Sequence, residues 1–212
     1  MRTFLIKTPW WLKALYPKRT WHMDRREKKI YLSFDDGPHP VATPFVLDQL
    51  KKYNAKASFF CIGKNVAAYP SLYSRILEEG HTVGNHTQDH LNGWKTTTDD
   101  YLRNVKAAEK WIKSGLFRPP YGRIRSAQAR KMRQYQIIMW DVLSADFDKA
   151  VSAERCYQHV VRHTNNGSIV VFHDSEKAWD KMSNTLPLVL EHFSKKGFQF
   201  SAILEGKNAG TV

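Results

Sequence analysis

From Ile30 to Ile203, short β-rich runs alternate with segments of helical periodicity, and this alternation restricts the fold more than any other feature. The runs are Ile30–Phe34, Ala57–Ile62, Thr82–Gly84, Leu116–Arg118, Gln136–Trp140, Ser168–His173 and Phe198–Ile203. Helical patterns fall between them, over Pro44–Tyr53, Pro70–Glu79, Thr98–Ser114, Ala127–Tyr135, Ala153–Thr164 and Thr185–Lys195. A helix between two strands returns the chain to the end it started from, so the strands run parallel. The class is therefore α/β. Seven strands suit either a barrel or a doubly wound sheet, and spacing alone does not choose.

Local chemistry marks the helix ends. Thr43-Pro44 reads as an N-cap followed by proline at the first helical position. Thr98-Asp99-Asp100 supplies a cap and two carboxylates to a positive helix end. Gly80 and Gly197 follow Glu78-Glu79 and Lys195-Lys196, where a helix stops in the left-handed conformation.

The chain of 212 residues fits one domain, read as residues 29–205, with a short tail at 206–212. The first 28 residues mix Trp10, Trp11, Leu12, Leu15 and Tyr16 with Arg2, Lys7, Lys13, Lys18 and Arg19. Such a segment suits either packing across the bottom of the domain or peripheral contact with an anionic membrane. No run of eighteen apolar residues occurs, and no export signal is visible. That leaves a cytoplasmic, membrane-associated or envelope location open.

The net charge of +13 is spread along the chain without a zinc-finger, helix-turn-helix or RNA-binding signature, which argues against nucleic acid as the partner. An anionic surface would satisfy it equally well. Cys61 and Cys156 stand far apart, Cys61 within an apolar run, and no disulfide is expected.

The chemically distinctive residues sit just after the strands. Asp35 and Asp36 come after the first, His86 and His90 after the third, Arg118 at the fourth, Asp141 and Asp146 after the fifth, and His173 ends the sixth. In a parallel barrel these strand ends share one face, where active sites lie. Successive residues at a strand end point to different sides, so Asp35 and Asp36 can divide two tasks, one binding a cation and one facing a reactant. His86 and His90, four apart, reach one side of a helical turn and with a carboxylate complete a His₂Asp set with open positions. Those ligand types suit zinc and admit cobalt, nickel, manganese or iron. Negative charge from Asp146 and Asp141 raises the pKa of His173, and Arg118 suits a bidentate hold on a carboxylate.

In order, Phe34-Asp35-Asp36-Gly37-Pro38, His86-Thr87-Gln88-Asp89-His90, Arg118-Pro119-Pro120-Tyr121, Ser144-Ala145-Asp146-Phe147 and Val171-Phe172-His173 form a sequence pattern. The chain resembles the polysaccharide deacetylase family, the NodB-homology carbohydrate esterases, from about Lys29 to Ile203. The resemblance implies a distorted (β/α) barrel of about seven parallel strands that removes N-acetyl groups from an N-acetylglucosamine polymer such as peptidoglycan or chitin oligomers. It implies Asp35 as base, Asp36, His86 and His90 as ligands of one divalent metal ion, and Arg118 as the group orienting Asp35. The Tyr121 amide would face the oxyanion, and His173, tuned by Asp146, would be the acid. Pro120, Trp140, Phe147 and Val171 would line the substrate pocket. Phe147 replaces the family's usual tryptophan, Val171 its leucine, and Leu143 an acid of the longer fourth motif. A monomer is expected. An amidase for a small or cyclic amide, or an idle glycan-binding protein, would share the same fold.

Overall fold

The computed structural model describes residues 5–206. The remainder of the 206–212 tail, and Arg2 of the basic-aromatic start, lie outside the described residues. The elements run α1 (Trp10–Leu15), β1 (Lys29–Asp35), α2 (Ala42–Lys52), β2 (Ser58–Cys61), α3 (Gly63–Ala68), α4 (Pro70–Glu78), β3 (Thr82–Asn85) and α5 (Thr98–Ala108). After β4 (Leu116–Phe117) come a 3₁₀ turn at Pro120–Gly122, α6 (Ser126–Arg130), β5 (Gln136–Ile137) and β6 (Val142–Leu143). α7 (Ala153–His163), β7 (Ile169–His173), a second 3₁₀ turn at Glu176–Ala178, α8 (Trp179–Lys195) and β8 (Gln199–Phe200) complete the chain.

Seven strands pair side by side in the order β5-β4-β3-β2-β1-β7-β6, every pairing parallel, and β8 joins β1 at its first residues. The sheet curls into a partial barrel. Its seventh strand is β6, which the sequence pattern misses, because its two residues are framed by polar Asp141 and Ser144. The run at 198–203 forms the branch at β8 instead.

The N-terminal segment lies along both free edges of the sheet. Lys7 bridges Val142 of β6, Thr20 bridges Ile138 just after β5, and the Thr20 amide donates to the Ile137 carbonyl at 2.9 Å. The edges' unpaired backbone groups thus find partners within the chain, as buried edges require.

Alternation along β1 separates the core from the site. Ile30, Leu32 and Phe34 are fully buried in the outer core with Val46, Leu47, Leu186 and Val189 of α2 and α8. Tyr31, Ser33 and Asp35 take the opposite, inward face. Phe34 stacks between Phe59 and Phe172, with ring centroids 5.1 and 6.1 Å away.

Several boundaries differ from the sequence reading. Thr43 is not a cap: α2 starts at Ala42, and the Thr43 hydroxyl is used in a long-range contact with Asp174. The cap of α5 is Thr97, whose side chain accepts from the Asp100 amide, so Thr98 is already helical. α5 ends at Ala108 and α6 at Arg130, each shorter than its apolar periodicity suggests. α3 arises where no helix was expected, and α8 begins earlier, at Trp179, carrying Pro187 inside it. Gly80 and Gly197 do take left-handed conformations, each with φ 75°. Both cysteines are buried and unbridged, and no described helix is long and apolar enough to cross a membrane.

Candidate active site

Asp35 and Asp36 diverge as the strand end predicts. Asp35 points into the barrel, where Nη1 of Arg118 donates to its Oδ1 at 2.6 Å. Arg118 is wholly buried. The same Nη1 reaches the Ser33 hydroxyl at 2.8 Å, Nε the Ile138 carbonyl at 3.2 Å, and Nη2 the Met139 carbonyl at 3.0 Å. The guanidinium lies 4.0 Å over the Phe60 ring. The hold on Asp35 is therefore single and not bidentate, since the other arms of the guanidinium are committed to carbonyls.

Asp36 turns the other way through a left-handed backbone, φ 79°. Its carboxylate meets His90 Nε2 at 3.1 Å and His86 Nε2 at 3.6 Å. These two histidines do not share a helix, although their spacing of four suggests one. Residues 86–90 form an irregular loop in which Thr87 (φ 66°) and His90 (φ 59°) are both left-handed, and that path aims both rings at Asp36. His86 Nδ1 lies 2.7 Å from the Arg118 carbonyl, which fixes Nδ1 as the donor and leaves Nε2 with its lone pair. Burial, ahead of the nearby carboxylates, holds the His86 pKa down at about 4, so the ring is neutral. Burial alone would raise the Asp36 pKa, but the His90 contact and the charges of His173 and His86 carry it well below the ordinary range.

The three ligand atoms lie within 4.8 Å of one another, and Asp36 Oδ1 is buried with no hydrogen-bond partner. An orphaned carboxylate oxygen beside two imidazole nitrogens is costly unless a cation completes it. The donor set therefore fits a divalent metal ion.

His173 closes β7. Its Nδ1 is 2.8 Å from Asp146 Oδ1, and its backbone amide donates to Asp146 Oδ2 at 2.8 Å. Burial opposes charging the ring, yet Asp146, its hydrogen bond, and the more distant Asp36 and Asp35 outweigh it and push the pKa up to about 9. Phe147 stands edge-on to the ring at 4.9 Å. Asp141 does not join this group. It is level with Ile169, at the opposite end of β7, where it binds Lys7, Lys13, Arg25 and Ser168. It ends no strand but precedes β6, so it lands on the far side of the barrel.

Tyr121 is left-handed (φ 60°), and its ring is 4.6 Å from that of His90. Pro120 is buried beneath it, and the Trp140 ring lies against neighbouring Gly122. Val171 is buried two residues before His173 on the same face of β7. Of the six non-glycine residues with positive φ among the described residues, five belong to the motif loops: Asp36, Thr87, His90, Tyr121 and Ala145. Backbone held in such conformations clusters where a site dictates it.

Three contributors escaped the sequence reading. Asn65 donates to the Asp36 carbonyl at 2.7 Å, Asp174 accepts from the Gly37 amide at 3.1 Å, and Lys177 Nζ comes within 3.4 Å of Asp36 Oδ2 and 5.6 Å of the Phe147 ring. Asp174 had a signal, an acid next to a strand-end histidine. Asn65 and Lys177 had none.

A curled parallel sheet with a His₂Asp cluster, an arginine-held carboxylate and a His–Asp pair at its C-terminal strand ends defines a barrel hydrolase, its cluster suited to a divalent metal ion. The family described as polysaccharide deacetylase matches residues 22–140. A peptidoglycan-N-acetylglucosamine deacetylase of Bacillus cereus is 37% identical over 194 residues, covering 88% of this chain and 91% of that protein. The peptidoglycan-N-acetylglucosamine deacetylase PgdA of Listeria monocytogenes is 35% identical over 85% of this chain, which spans 39% of that longer protein. A crystal structure of a peptidoglycan N-acetylglucosamine deacetylase bound to 4-naphthalen-1-yl-N-oxidanyl-benzamide superposes with a TM-score of 0.84 at 29% identity, covering 92% of this chain and 95% of that one. The chain belongs to the polysaccharide deacetylase family and is an enzyme of that hydrolytic class.

Proposed function

We propose that the chain removes the acetyl group from N-acetylglucosamine residues of a glycan, with peptidoglycan as the first candidate and chitin oligomers as the second. One juxtaposition carries the reading. The Asp36-His86-His90 cluster shares the C-terminal strand ends with an arginine-held carboxylate and a carboxylate-held imidazole. Such a site offers a cation position together with a base and an acid. The similarity to peptidoglycan deacetylases supports the choice of polymer.

Asp36, His86 and His90 would hold one divalent ion, zinc by ligand type with cobalt, nickel, manganese or iron as substitutes. That ion, when bound, supplies Lewis-acid polarisation of the acetamide carbonyl and lowers the pKa of water from 15.7 towards about 7. Asp35 takes the proton from the attacking water. Arg118 keeps Asp35 aimed, its positive charge buried beside that carboxylate. The Tyr121 amide, presented by its left-handed backbone, donates to the oxyanion. An amine cannot leave as an anion, so His173 delivers a proton to the nitrogen while Asp146 fixes its ring through Nδ1. Phe147, Val171, Pro120 and Trp140 wall the pocket around the acetyl group.

The direct test is acetate release from purified peptidoglycan and from N-acetylglucosamine oligomers, with and without a chelator. Chelator-sensitive release from peptidoglycan is expected. Metal-loaded protein that releases acetate from neither glycan would sink the proposal.

A further inference from the structure

α1 sits at the end of the barrel opposite the candidate site. The Thr8 amide, just before α1, donates to the Asp141 carbonyl at 2.9 Å, and Asp141 is level with the first residue of β7. His173 is at the last residue of that strand, about 13 Å further along at ~3.3 Å per residue.

One side of this helix is tied down. Leu12 and Tyr16 pack against the cluster containing Trp21, Tyr101 and Phe117. Between them Lys13, 9% exposed, reaches Asp141 Oδ1 at 2.5 Å. The buried carboxylate draws a lysine inward, and helical geometry then turns the opposite side out. That side carries Trp10 at 80% exposure, Trp11 at 53% and Leu15 at 63%, with exposed Ala14 among them. Trp10 is the most exposed large apolar side chain among the described residues.

The charge beside this face is positive. Asp141 is one carboxylate against Lys7, Lys13 and Arg25, an excess of two cations, and exposed Lys18 comes just after the helix. A short helix with paired tryptophans, a leucine and excess positive charge has the chemistry of a membrane interface bearing anionic headgroups. Two tryptophans and a leucine expose at most a few hundred Å², short of the ~800 Å² per partner of a stable protein interface. A bilayer needs no such area, because insertion depth and headgroup attraction share the task.

We propose that the outer face of α1 docks the protein on an anionic phospholipid bilayer and turns the catalytic end of the barrel away from the membrane. The docking goes beyond the deacetylase reading and does not depend on it, whereas the orientation rests on the position of the candidate site.

The experiment is co-sedimentation of the full chain with phosphatidylglycerol-containing vesicles and with pure phosphatidylcholine vesicles, alongside tryptophan fluorescence. Binding to the anionic vesicles is expected, with a blue-shifted emission and loss on raising salt. The Trp10→Ser/Trp11→Ser variant should bind at least about tenfold more weakly, with an unchanged circular dichroism spectrum and unchanged hydrolysis of soluble oligomers. Leu15→Ser serves as the second variant and should weaken binding in the same direction. Absence of binding by the wild-type chain at low salt, equal binding to both vesicle types, or wild-type binding by the variants overturns the proposal. So does a wild-type dimer that the tryptophan substitutions dissociate, which would assign the face to a second copy.

Discussion

Asp174 and Gly37 are 137 positions apart in sequence and in direct contact, the Gly37 amide donating to the Asp174 carboxyl at 3.1 Å. The other carboxyl oxygen accepts from the Thr43 hydroxyl at 2.6 Å, and that hydroxyl in turn accepts from the His39 amide at 2.7 Å. Burial pushes the Asp174 pKa up to about 8, the Thr43 contact opposing it. The turn that aims Asp36 is thus held from the far end of the chain, by the residue after His173. There is no room for a larger residue at 37, since a Cβ there would lie 2.0 Å from Asp174 Oδ2.

Gly37→Ala is therefore expected to lower stability by about 1–3 kcal/mol through overpacking and to weaken metal retention. Asp174→Ala strands the Gly37 amide and the Thr43 hydroxyl in a buried place, at ~1–3 kcal/mol for each unsatisfied group. Denaturant titration reads the stability, and metal content after dialysis reads the site. If both variants kept wild-type stability and metal, Asp174 would have no part in holding the turn.

The two adjacent carboxylates should separate cleanly by substitution. Asp36→Ala is expected to lose metal and activity together. Asp35→Asn should retain metal but lose about 10²–10⁴ in turnover, the usual contribution of a positioned base. Metal analysis paired with acetate release decides this, and wild-type turnover in Asp35→Asn would refute the assignment of the base.

Protonated His173 is the form an acid needs. With the pKa raised to about 9, that form is present at neutral pH and disappears as pH rises through that value. The same shift stabilises the fold fully below the unfolded value of about 6.5, and this contribution is lost as pH rises towards 9. Neutralisation of Asp36 by a bound cation removes part of the upward pull, so the alkaline limb of the rate profile should fall at or below pH 9. Asp146→Asn removes the strongest upward pull on the ring and should move the limb to lower pH. An unmoved limb would assign it to another group.

Arg118 is buried against Asp35, so Arg118→Met leaves a buried carboxylate without its counter-charge, at ~3–5 kcal/mol. Arg118→Lys should rescue little, because an ammonium cannot serve Asp35, Ser33 and two carbonyls from one plane. Chemical denaturation of the two variants against wild type measures both effects.

At the other end of the barrel, three cations and burial act on Asp141 in opposite senses. Burial raises its pKa, but Lys13, Lys7 and Ser168 together bring it below the ordinary carboxylate value. The stabilisation is present above the unfolded pKa of about 3.9 and lost as pH falls through the folded value. Asp141→Asn should therefore loosen residues 5–16 at neutral pH, seen as faster amide hydrogen exchange there with the barrel strands unchanged.

Strand and helix periods and an ordered set of motifs are local properties of a chain, so the α/β class, the parallel strands, the family and the motif residues of the candidate site were legible before any contact was known. Thr43 as a contact and not a cap shows how even local chemistry is redirected when a distant partner such as Asp174 competes for a hydroxyl. The convergence of His86 and His90 through left-handed turns and not along a helix emerged only in three dimensions, since that path depends on what residues 86–90 pack against. So did the placing of Asp141 at the opposite end of the barrel from His173, and the way the N-terminal segment closes the edges of the sheet while leaving Trp10 and Trp11 bare. A short strand such as β6 has no periodicity of its own. Its position, and the side of the barrel on which its flanking acids fall, is set by pairing with β7, and pairing is not written in any one segment.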